Sequence, residues 1–510
     1  MFINNTNGKK IKKYLHEIVD MGVDFKTMDS ITKVMHPKYF KGLLLEPIPN
    51  TSMSLKKLYN ELNNKIVKFS TNFASKKFCA FPDSGNSVSS IAAALLVPLL
   101  NQNMINAEHC SPVASFVEMS IINWLREILG YEVNYDPENI FDIGGIVTLG
   151  GTISNTIAMM AARNKAFPMV RENGITFDTS KVKVILPKYI SHYSIRCGLS
   201  WIGLGEKNII EADITDEYKI DLVKLKRKIR DYRCDYKIIS LVCYAGDSRA
   251  MSVDNIEALS DIAQKENLWF HVDACHGFQL AFSDKLKYKI HGISRADSIT
   301  LDPHKVLFMP YVLSSLLFKN PKDFKLIASN SDLIMKEDFA FGQITPMIGS
   351  KSFDSLKLWA SIKYFGKNKI GEIVDKRYDL AKFLCKKLQE RDNFIVLNKN
   401  TDINSVMFMY VSAKIKNEIN NNKDISAKEV EKVNAINKKI QEYLFKNNKY
   451  YLHTFPFYDL GEIFNKNINI LYPMRYMSGN HLLKKSDVLE MIKHIKKVGD
   501  HLENVGMYKC

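Results

Sequence analysis

Residues 298–311 read S-I-T-L-D-P-H-K-V-L-F-M-P-Y, a short apolar segment that is followed by a histidine and a lysine. The first four residues alternate in the manner of a β-strand, with Ile299 and Leu301 on the apolar side. Lys305 comes shortly after that segment. Burial at such a position favours the neutral amine of a lysine, which is the form that condenses with an aldehyde to give a Schiff base. The stretch identifies Lys305 as a candidate nucleophile, with a solvated surface lysine as the alternative.

A second apolar segment ends on an aspartate. Residues 268–277 read L-W-F-H-V-D-A-C-H-G, so that Asp273 lies at the end of a predicted strand. Open α/β sheets bind ligands at the carboxyl ends of their strands. An aspartate that faces a pyridinium nitrogen and a lysine that bonds to an aldehyde carbon are the protein's part in pyridoxal phosphate (PLP) catalysis. The two segments together therefore indicate a PLP site.

The motifs H-V-D-A-C-H-G and, about thirty residues later, D-P-H-K resemble those of the group II PLP-dependent amino-acid decarboxylases. That family includes glutamate, cysteine-sulfinate and aromatic amino-acid decarboxylases. The resemblance implies an α/β protein of PLP-dependent transferase fold type I, similar to aspartate aminotransferase. It implies an N-terminal helical arm (residues 1–100), a large PLP-binding domain with a mostly parallel sheet (101–375) and a smaller α+β domain (376–510). It also implies a homodimer whose sites are built across the subunit interface.

The composition excludes several classes of protein. The chain has 510 residues, of which 46% are hydrophobic and 25% charged, as in ordinary globular proteins of more than one domain. The longest apolar run, residues 91–100, contains a proline and is shorter than the roughly 20 residues of a membrane-spanning helix. The N-terminus lacks the apolar segment of a signal peptide, and the eight cysteines show neither a C-x-x-C pair nor zinc-like spacing. We expect a reduced, cytoplasmic protein with no membrane partner and no metal.

The net charge of +16 raises the question of nucleic-acid binding. The lysines are spread along the chain, many of them in Asn/Lys/Ile-rich stretches such as residues 414–439. The sequence contains no zinc finger, RNA-recognition signature or Arg-rich arm. This pattern is typical of a general compositional bias. We expect no nucleic-acid partner, although a mildly basic surface favours anionic ligands.

A phosphate-binding pattern lies at residues 146–163, which read I-V-T-L-G-G-T-I-S-N-T-I-A-M-M-A-A-R. An apolar strand breaks at two glycines, and a helix follows with Thr152 and Ser154 in its first turn. Free backbone N–H groups, the helix dipole and small hydroxyl side chains together make an anion site, although a G-G-T sequence alone is also typical of a structural turn. The resemblance implies that Gly151 and Thr152 bind the phosphate of PLP, with Ser154 beside them.

Three further cofactor residues are assigned from the resemblance. His192 follows the predicted strand at residues 182–186, and the family's histidine at this place stacks on the PLP ring and handles a proton or the substrate carboxylate. Ser248 keeps a hydroxyl where relatives have the second threonine of A-G-T-T. Asp247 departs from that motif and receives no cofactor role. His304 is expected to help anchor the phosphate.

The resemblance also implies a set of substrate-binding residues. The loop F-C-A-F-P-D-S-G-N-S at residues 78–87 corresponds to a family loop that lines the substrate pocket, which places Phe81 and Asp83 near the substrate. His276 stands where relatives often have an aromatic residue, at the edge of the site. Arg475 occupies the place of a family arginine that meets a substrate carboxylate in some relatives, and a structural salt bridge is the alternative.

One departure from the family bears on the reaction. In the family a mobile loop carries a tyrosine that protonates the carbon from which CO2 has left, and its replacement by phenylalanine favours oxygen-dependent aldehyde formation. Between Val312 and Lys363 this chain has no tyrosine, although Phe339 and Phe341 lie there. If the loops correspond, the family's proton donor is missing.

These features predict a PLP-dependent decarboxylase that converts an L-amino acid to the amine and CO2, with Lys305, His192 and Asp273 as catalytic residues. Two other enzymes are the alternatives. One is a decarboxylation-dependent aldehyde synthase of the same family, and the other is a PLP-dependent carbon–carbon lyase that acts on a phosphorylated amino alcohol. The non-enzyme alternative is a basic binding protein that has kept the fold without the cofactor.

Overall fold

The computed structural model describes residues 2–83, 87–329, 338–464, 470–477 and 479–505. Within the described part of residues 1–100 the α-helices are α1 (Gly8–Thr27), α2 (Pro37–Leu44), α3 (Leu55–Glu61) and α4 (Val88–Leu100). They lie in the part of the chain for which the sequence predicts an N-terminal helical arm. The apolar run of the sequence lies in α4, where the Ser87 hydroxyl caps the first turn by accepting from the Ser90 N–H. Among the described residues, no helix is both long and apolar enough to cross a membrane.

A seven-stranded sheet forms the centre of the fold. Its strands are β1 (Gly145–Thr148), β2 (Val182–Pro187), β3 (Ile209–Ala212), β4 (Lys237–Tyr244), β5 (Trp269–Asp273), β6 (Ser298–Leu301) and β7 (Ser314–Phe318). Their order in space is β1-β7-β6-β5-β4-β2-β3. Strands β3, β2, β4, β5 and β6 run parallel, whereas β7 is antiparallel to both of its neighbours. Strands that are covered on both faces consist of continuous apolar runs, and β5 and β6 are buried at every position. The mostly parallel sheet is confirmed.

Helices pack around this sheet and join its strands. They are α5 (Pro112–Leu129), α6 (Gly151–Ala166), α7 (Val170–Asn173), α8 (Tyr193–Trp201), α9 (Leu222–Tyr232), α10 (Ile256–Lys265), α11 (Pro303–Val306) and α12 (Ser355–Gln389). Helix α5 ends at Leu129, and the left-handed backbone of the following Gly130 (φ 80°) stops the helix. Helix α12 is 35 residues long, bends at Gly366, where φ is 66°, and leads into the C-terminal part of the chain.

The C-terminal part has a smaller sheet of its own. The strands of this part of the chain are β8 (Phe394–Val396), β9 (Ser405–Tyr410), β10 (His453–Thr454), β11 (Phe457–Tyr458), β12 (Ile470–Leu471) and β13 (Met474–Met477). Its helices are α13 (Ala413–Asn420), α14 (Ala427–Lys446) and α15 (Lys485–Asn504). Strands β10, β13, β9 and β8 form an antiparallel sheet in that order. Its buried side chains pack with α12, α14 and α15 into a core distinct from that of the large sheet. The smaller α+β unit of the predicted fold class is present.

The carboxyl ends of the parallel strands meet at one edge of the large sheet. Tyr244, the last residue of β4, pairs with Asp273, the last residue of β5, and Asp273 pairs with Thr300 of β6. Lys305 follows β6 in the short helix α11. The register of the strands therefore brings residues that are distant in sequence to the edge at which open α/β sheets bind ligands.

Candidate active site

A cavity of about 330 Å³ lies at this edge of the sheet. It is lined by eight of the residues that were predicted from the sequence: Gly151, Thr152, His192, Ser248, Asp273, His276, His304 and Lys305. Two larger cavities, of about 580 and 770 Å³, are lined by none of these eight. The chemistry of the wall, rather than the volume, identifies the smaller cavity as the candidate active site.

Lys305 lies on the cavity wall in an ion pair with Asp302. The Nζ–Oδ2 distance is 2.7 Å and the Asp302 side chain is 2% exposed, and Asp302 also accepts a hydrogen bond from the Ser314 hydroxyl. Burial alone lowers the pKa of Lys305, but the negative charge of Asp302 outweighs this effect and raises that pKa well above its usual value. The sequence-based expectation of a neutral amine is therefore wrong for this structure, because a buried carboxylate three residues away keeps the amine charged.

A chain of buried hydrogen bonds orients Asp273. The Asn155 amide donates to Asp273 Oδ2 (2.9 Å), and the Asn155 oxygen lies 3.1 Å from Nε2 of His271. Because an ionised carboxylate only accepts, Asn155 presents its NH2 group to Asp273 and its oxygen to the histidine. His271 must then donate from Nε2 and accept from the Ser298 hydroxyl at Nδ1 (2.8 Å). Burial lowers the pKa of His271 to about 4, so the ring is neutral at neutral pH, as this direction requires.

His192 caps the N-terminus of α8 and is tied to the same network. Its Nδ1 accepts from the Ser194 main-chain N–H (3.3 Å), so the neutral ring carries its proton on Nε2. The Ser194 hydroxyl lies 2.8 Å from this Nδ1 and accepts from the Asn155 amide (2.8 Å). Burial lowers the pKa of His192. One asparagine therefore positions both the strand-end carboxylate and a neutral imidazole on the cavity wall.

The predicted anion site lies where α6 begins, at Gly151 and Thr152. A Cβ atom at Gly151 would stand 2.9 Å from both Asp302 carboxylate oxygens and 2.9 Å from Cys275 Sγ. Only glycine therefore allows the first turn of the helix to approach the cavity floor so closely. Ser154, which the sequence placed beside this site, does not line the cavity and bonds to Thr148 instead (2.6 Å).

Two further histidines complete the wall. His304 Nδ1 donates to the Leu313 carbonyl (2.7 Å), which fixes the ring beside the cavity. His276 is 7% exposed, and burial lowers its pKa well below the usual value. His276 is therefore a neutral hydrogen-bonding group at neutral pH.

The turn after β4 explains the departure from the family motif. Asp247 is fully buried, and its carboxylate accepts hydrogen bonds from the main-chain N–H groups of Arg249, Ala250 and Ser252 and from the Ser252 hydroxyl (2.7–2.8 Å). These bonds close the turn that presents Ser248 to the cavity. Asp247 therefore has a structural role, which is to stabilise this turn.

Arg475 lies behind the cavity wall rather than on it. Its guanidinium donates to the carbonyls of Ser248 (2.5 Å) and Ala80 (3.3 Å) and lies over the Phe455 ring, 4.9 Å from the centroid. Burial lowers its pKa to about 10. In the part of the chain that the structure describes, no carboxylate forms an ion pair with Arg475, so the salt bridge weighed in the sequence analysis is not seen there. The arginine ties the turn after β4 to the loop at residues 78–83.

Phe81 and Asp83 also stand outside the cavity lining. Phe81 packs against His453, with 5.2 Å between ring centroids. Asp83 interacts electrostatically with the hydroxyl of Tyr311, which does line the cavity, and burial raises the pKa of Asp83. Residues 84–86 of the predicted pocket loop lie outside the described residues. The structure therefore places Asp83 in a second layer, behind a tyrosine.

Besides the eight predicted residues, the cavity wall includes Asn155, Cys275, Asp302 and Tyr311, which were not in the predicted set. Asp302 carries a signal that could have revealed it, because a carboxylate three residues before a lysine has the spacing of an ion pair on a helical turn. Cys275 is a small buried residue that lies on the cavity wall. No local pattern distinguishes Asn155 or Tyr311 from core and turn residues.

The loop that was predicted to lack a proton-donating tyrosine is described only in part, since residues 330–337 lie outside the described residues. Phe339 packs against Phe116, with 5.4 Å between ring centroids, and Phe341 is fully buried. Neither phenylalanine lines the cavity.

A comparison with known proteins identifies the family. The model of the pyridoxal-dependent decarboxylase conserved domain matches residues 37–411, which is well over half of the chain. The chain belongs to the pyridoxal-dependent decarboxylase family. It is an enzyme, a carboxy-lyase of amino acids, and PLP is its cofactor.

Individual relatives are similar over most of their length. An aromatic-L-amino-acid decarboxylase of Bacillus atrophaeus is 24% identical over 430 residues, which cover 81% of this chain and 85% of that protein. A glutamate decarboxylase of Drosophila melanogaster is 28% identical over 429 residues, with 81% of each chain covered. The crystal structure of mouse CSAD superposes with a TM-score of 0.84 at 20% identity, covering 96% of this chain and 99% of that one. This likeness confirms fold type I.

The cavity fits PLP on the evidence of its own residues. Its wall contains a lysine amine, an oriented aspartate at the end of a strand, and a helix N-terminus that begins with a glycine. These three groups match an aldehyde, a ring nitrogen and a phosphate, respectively. The volume of about 330 Å³ lies in the range of small-molecule sites.

Proposed function

We propose that this enzyme removes the α-carboxyl group of an L-amino acid as CO2 and releases the amine, with Lys305 as the residue that bonds to PLP. When bound, PLP accepts the electron pair that CO2 leaves behind. The observation that carries the proposal is the shared cavity wall of Lys305, Asp273 and His192. The carbon–carbon lyase and the cofactor-free binding protein receive no comparable support.

Each of these side chains has a separate task in the proposal. Asp273, held by Asn155, faces the ring nitrogen, while Gly151, Thr152 and His304 hold the phosphate at the start of α6, with Ser248 at the side. His192 offers the flat face of a neutral ring and an Nε2 proton. These residues would hold the cofactor at its ring nitrogen, its ring face and its phosphate, so that the substrate is bound in a fixed orientation.

The substrate side of the cavity is proposed to lie at His276. Phe81 and Asp83 complete this side from the neighbouring loop, Asp83 through its interaction with Tyr311. Arg475 is proposed to act on the substrate indirectly, because its guanidinium is already engaged with the carbonyls of Ser248 and Ala80. It holds together the two segments between which the substrate is bound.

An aldehyde synthase is the second candidate, and the absence of tyrosine from residues 312–363 is the observation that favours it. Turnover of the PLP-loaded protein should be measured against L-amino acids with acidic, aromatic and basic side chains while CO2, amine, aldehyde and peroxide are followed together. Amine and CO2 in equal amounts without peroxide are expected. Formation of aldehyde together with peroxide would show that the protein is an aldehyde synthase rather than an amine-forming decarboxylase.

A homodimer is proposed as the working form. Helices α4 and α5 expose large apolar side chains, with Leu95 46%, Leu99 55%, Val113 70% and Phe116 51% accessible. Contiguous exposed apolar surface marks sites of protein association, and the family's sites are built between subunits. Light scattering is expected to give twice the chain mass of 58.4 kDa, and Leu99→Asp should shift the protein toward the monomer. A monomer at micromolar concentration would contradict the proposal.

Two further proposals concern organisation and location. The arm at residues 1–100, the large domain at 101–375 and the small domain at 376–510 are supported by the two separate hydrophobic cores, which α12 connects. A cytoplasmic location is supported by the cysteines, since all seven that the structure describes are free thiols.

A further inference from the structure

Tyr311 lines the same cavity as Lys305 and Asp273. Its hydroxyl interacts electrostatically with the Asp83 carboxylate, and its ring packs against His304, with 4.9 Å between centroids. The residue is half exposed, so it connects the cavity with solvent. Tyr311 and Asp83 are 228 positions apart, and the fold alone makes them a pair.

Decarboxylation leaves the reacting carbon one proton short. When the bond to the carboxyl carbon breaks, CO2 departs without the bonding electrons, and the amine forms only after an acid has supplied a proton. Such an acid must reach into the cavity and must hold its proton at the working pH. It must also be reprotonated before the next turnover.

Most ionisable groups of the cavity meet these conditions poorly. Lys305 is bound to Asp302 and is the residue that bonds to the cofactor. Burial lowers the pKa of His192 and of His276, so neither ring carries an extra proton near neutral pH.

Two other tyrosines line the cavity but lack a route by which a proton could return. Tyr244 is 2% exposed, and its hydroxyl accepts from the His192 main-chain N–H (2.9 Å). Tyr193 is accessible, but none of the described carboxylates is its hydrogen-bond partner. Tyr311 differs from both because it interacts with a carboxylate and is also exposed to solvent.

The electrostatic surroundings keep the Tyr311 hydroxyl protonated. Burial, Asp83 and Asp302 raise its pKa well above the usual value, against a lowering by Lys305. Burial also raises the pKa of Asp83, opposed by the interaction with Tyr311 and by the charges of Lys305 and His304. The pair therefore combines a neutral phenol with a carboxyl group that binds a proton more readily than an exposed one.

We propose that Tyr311 is the general acid of the reaction and that Asp83 returns the proton, an inference that rests on the proposed decarboxylase function. The O–H bond of Tyr311 breaks as the new C–H bond forms at the carbon that has lost CO2. The phenolate oxygen takes the carboxyl proton of Asp83, and solvent reprotonates the pair. One proton is consumed for each CO2 released, which balances the conversion of an amino acid to its amine.

Tyr311→Phe is expected to lower kcat by about 10²-fold, the lower end of the range for general acids, with KM unchanged. In a single turnover, CO2 should appear in a rapid burst while amine follows slowly, because only the proton transfer is impaired. Cofactor affinity, followed by tryptophan fluorescence, and the temperature of unfolding should not change. Asp83→Asn should weaken the alkaline fall of kcat, since the relay operates only while Asp83 holds its proton.

Tyr135→Phe is the matched control. Its hydroxyl donates to a carboxylate, that of Glu127 (2.7 Å), but away from the cavity, and it should leave kcat unchanged. An equal loss of CO2 and amine in Tyr311→Phe, or full activity, would overturn the proposal while the decarboxylase function stands. Absence of CO2 release by the unsubstituted protein would overturn both.

Discussion

Lys305→Ala is expected to lose amine and CO2 formation by roughly 10³-fold or more. The substitution removes the one lysine that the described residues place on the cavity wall. General acid–base catalysis alone contributes about 10²- to 10⁴-fold, to which the loss of the covalent bond is added. Release of both products is measured with the best amino acid of the substrate panel. Borohydride reduction of the loaded protein, followed by peptide mass analysis, should place the cofactor on the Lys305 peptide and nowhere in the variant.

Lys305→Arg separates the charge of the side chain from its chemistry. A guanidinium keeps the positive charge opposite Asp302 but stays protonated and cannot act as the nucleophile. This variant should be as inactive as Lys305→Ala, yet more stable, because Lys305→Ala leaves a carboxylate buried without its cation. Retention of activity by Lys305→Arg would show that another amine bonds to the cofactor.

The sequence alone predicted the structural features that depend on short local patterns of residues. The apolar runs before Asp273 and Lys305 form β5 and β6, and the G-G-T segment forms the start of α6. Each motif lies at a strand end, and the parallel register of the sheet then brings the ends together. The predictions for these separate segments could therefore be combined into one site, because open α/β sheets bring their strand ends to the same edge.

Pairs that depend on three-dimensional packing could not be predicted in this way. Asn155 contacts Asp273 across 118 positions of sequence, and nothing in α6 distinguishes it from a core residue. Arg475 matches a family position, but its partners are main-chain carbonyls, which leave no trace in the sequence. The protonation of Lys305 was wrongly predicted because burial and a neighbouring charge act in opposite directions, and only the 2.7 Å contact decides between them.

Lys351→Met is expected to lower the free energy of unfolding by about 3–5 kcal/mol, the cost of removing one partner of a buried ion pair. The Lys351 amine lies 2.5 and 2.7 Å from the two Glu118 oxygens, and the side chains are 4% and 0% exposed. Glu118 also accepts from the Val147 N–H of β1 (2.9 Å). Without the lysine, a carboxylate inside the core keeps one hydrogen bond but no counter-charge. Urea unfolding of the PLP-free protein measures the change.

An ion pair of similar geometry on the surface serves as the control, because it differs from the Lys351–Glu118 pair in burial. Lys369 and Glu372 are 2.6 Å apart, but their side chains are 59% and 64% exposed. Lys369→Met should therefore cost no more than about 1 kcal/mol. The double variant Glu118→Leu/Lys351→Met should be less destabilised than the sum of the single changes, because neither charge is left alone. If the buried and surface lysines proved equally expendable, distance rather than burial would govern the strength of these pairs.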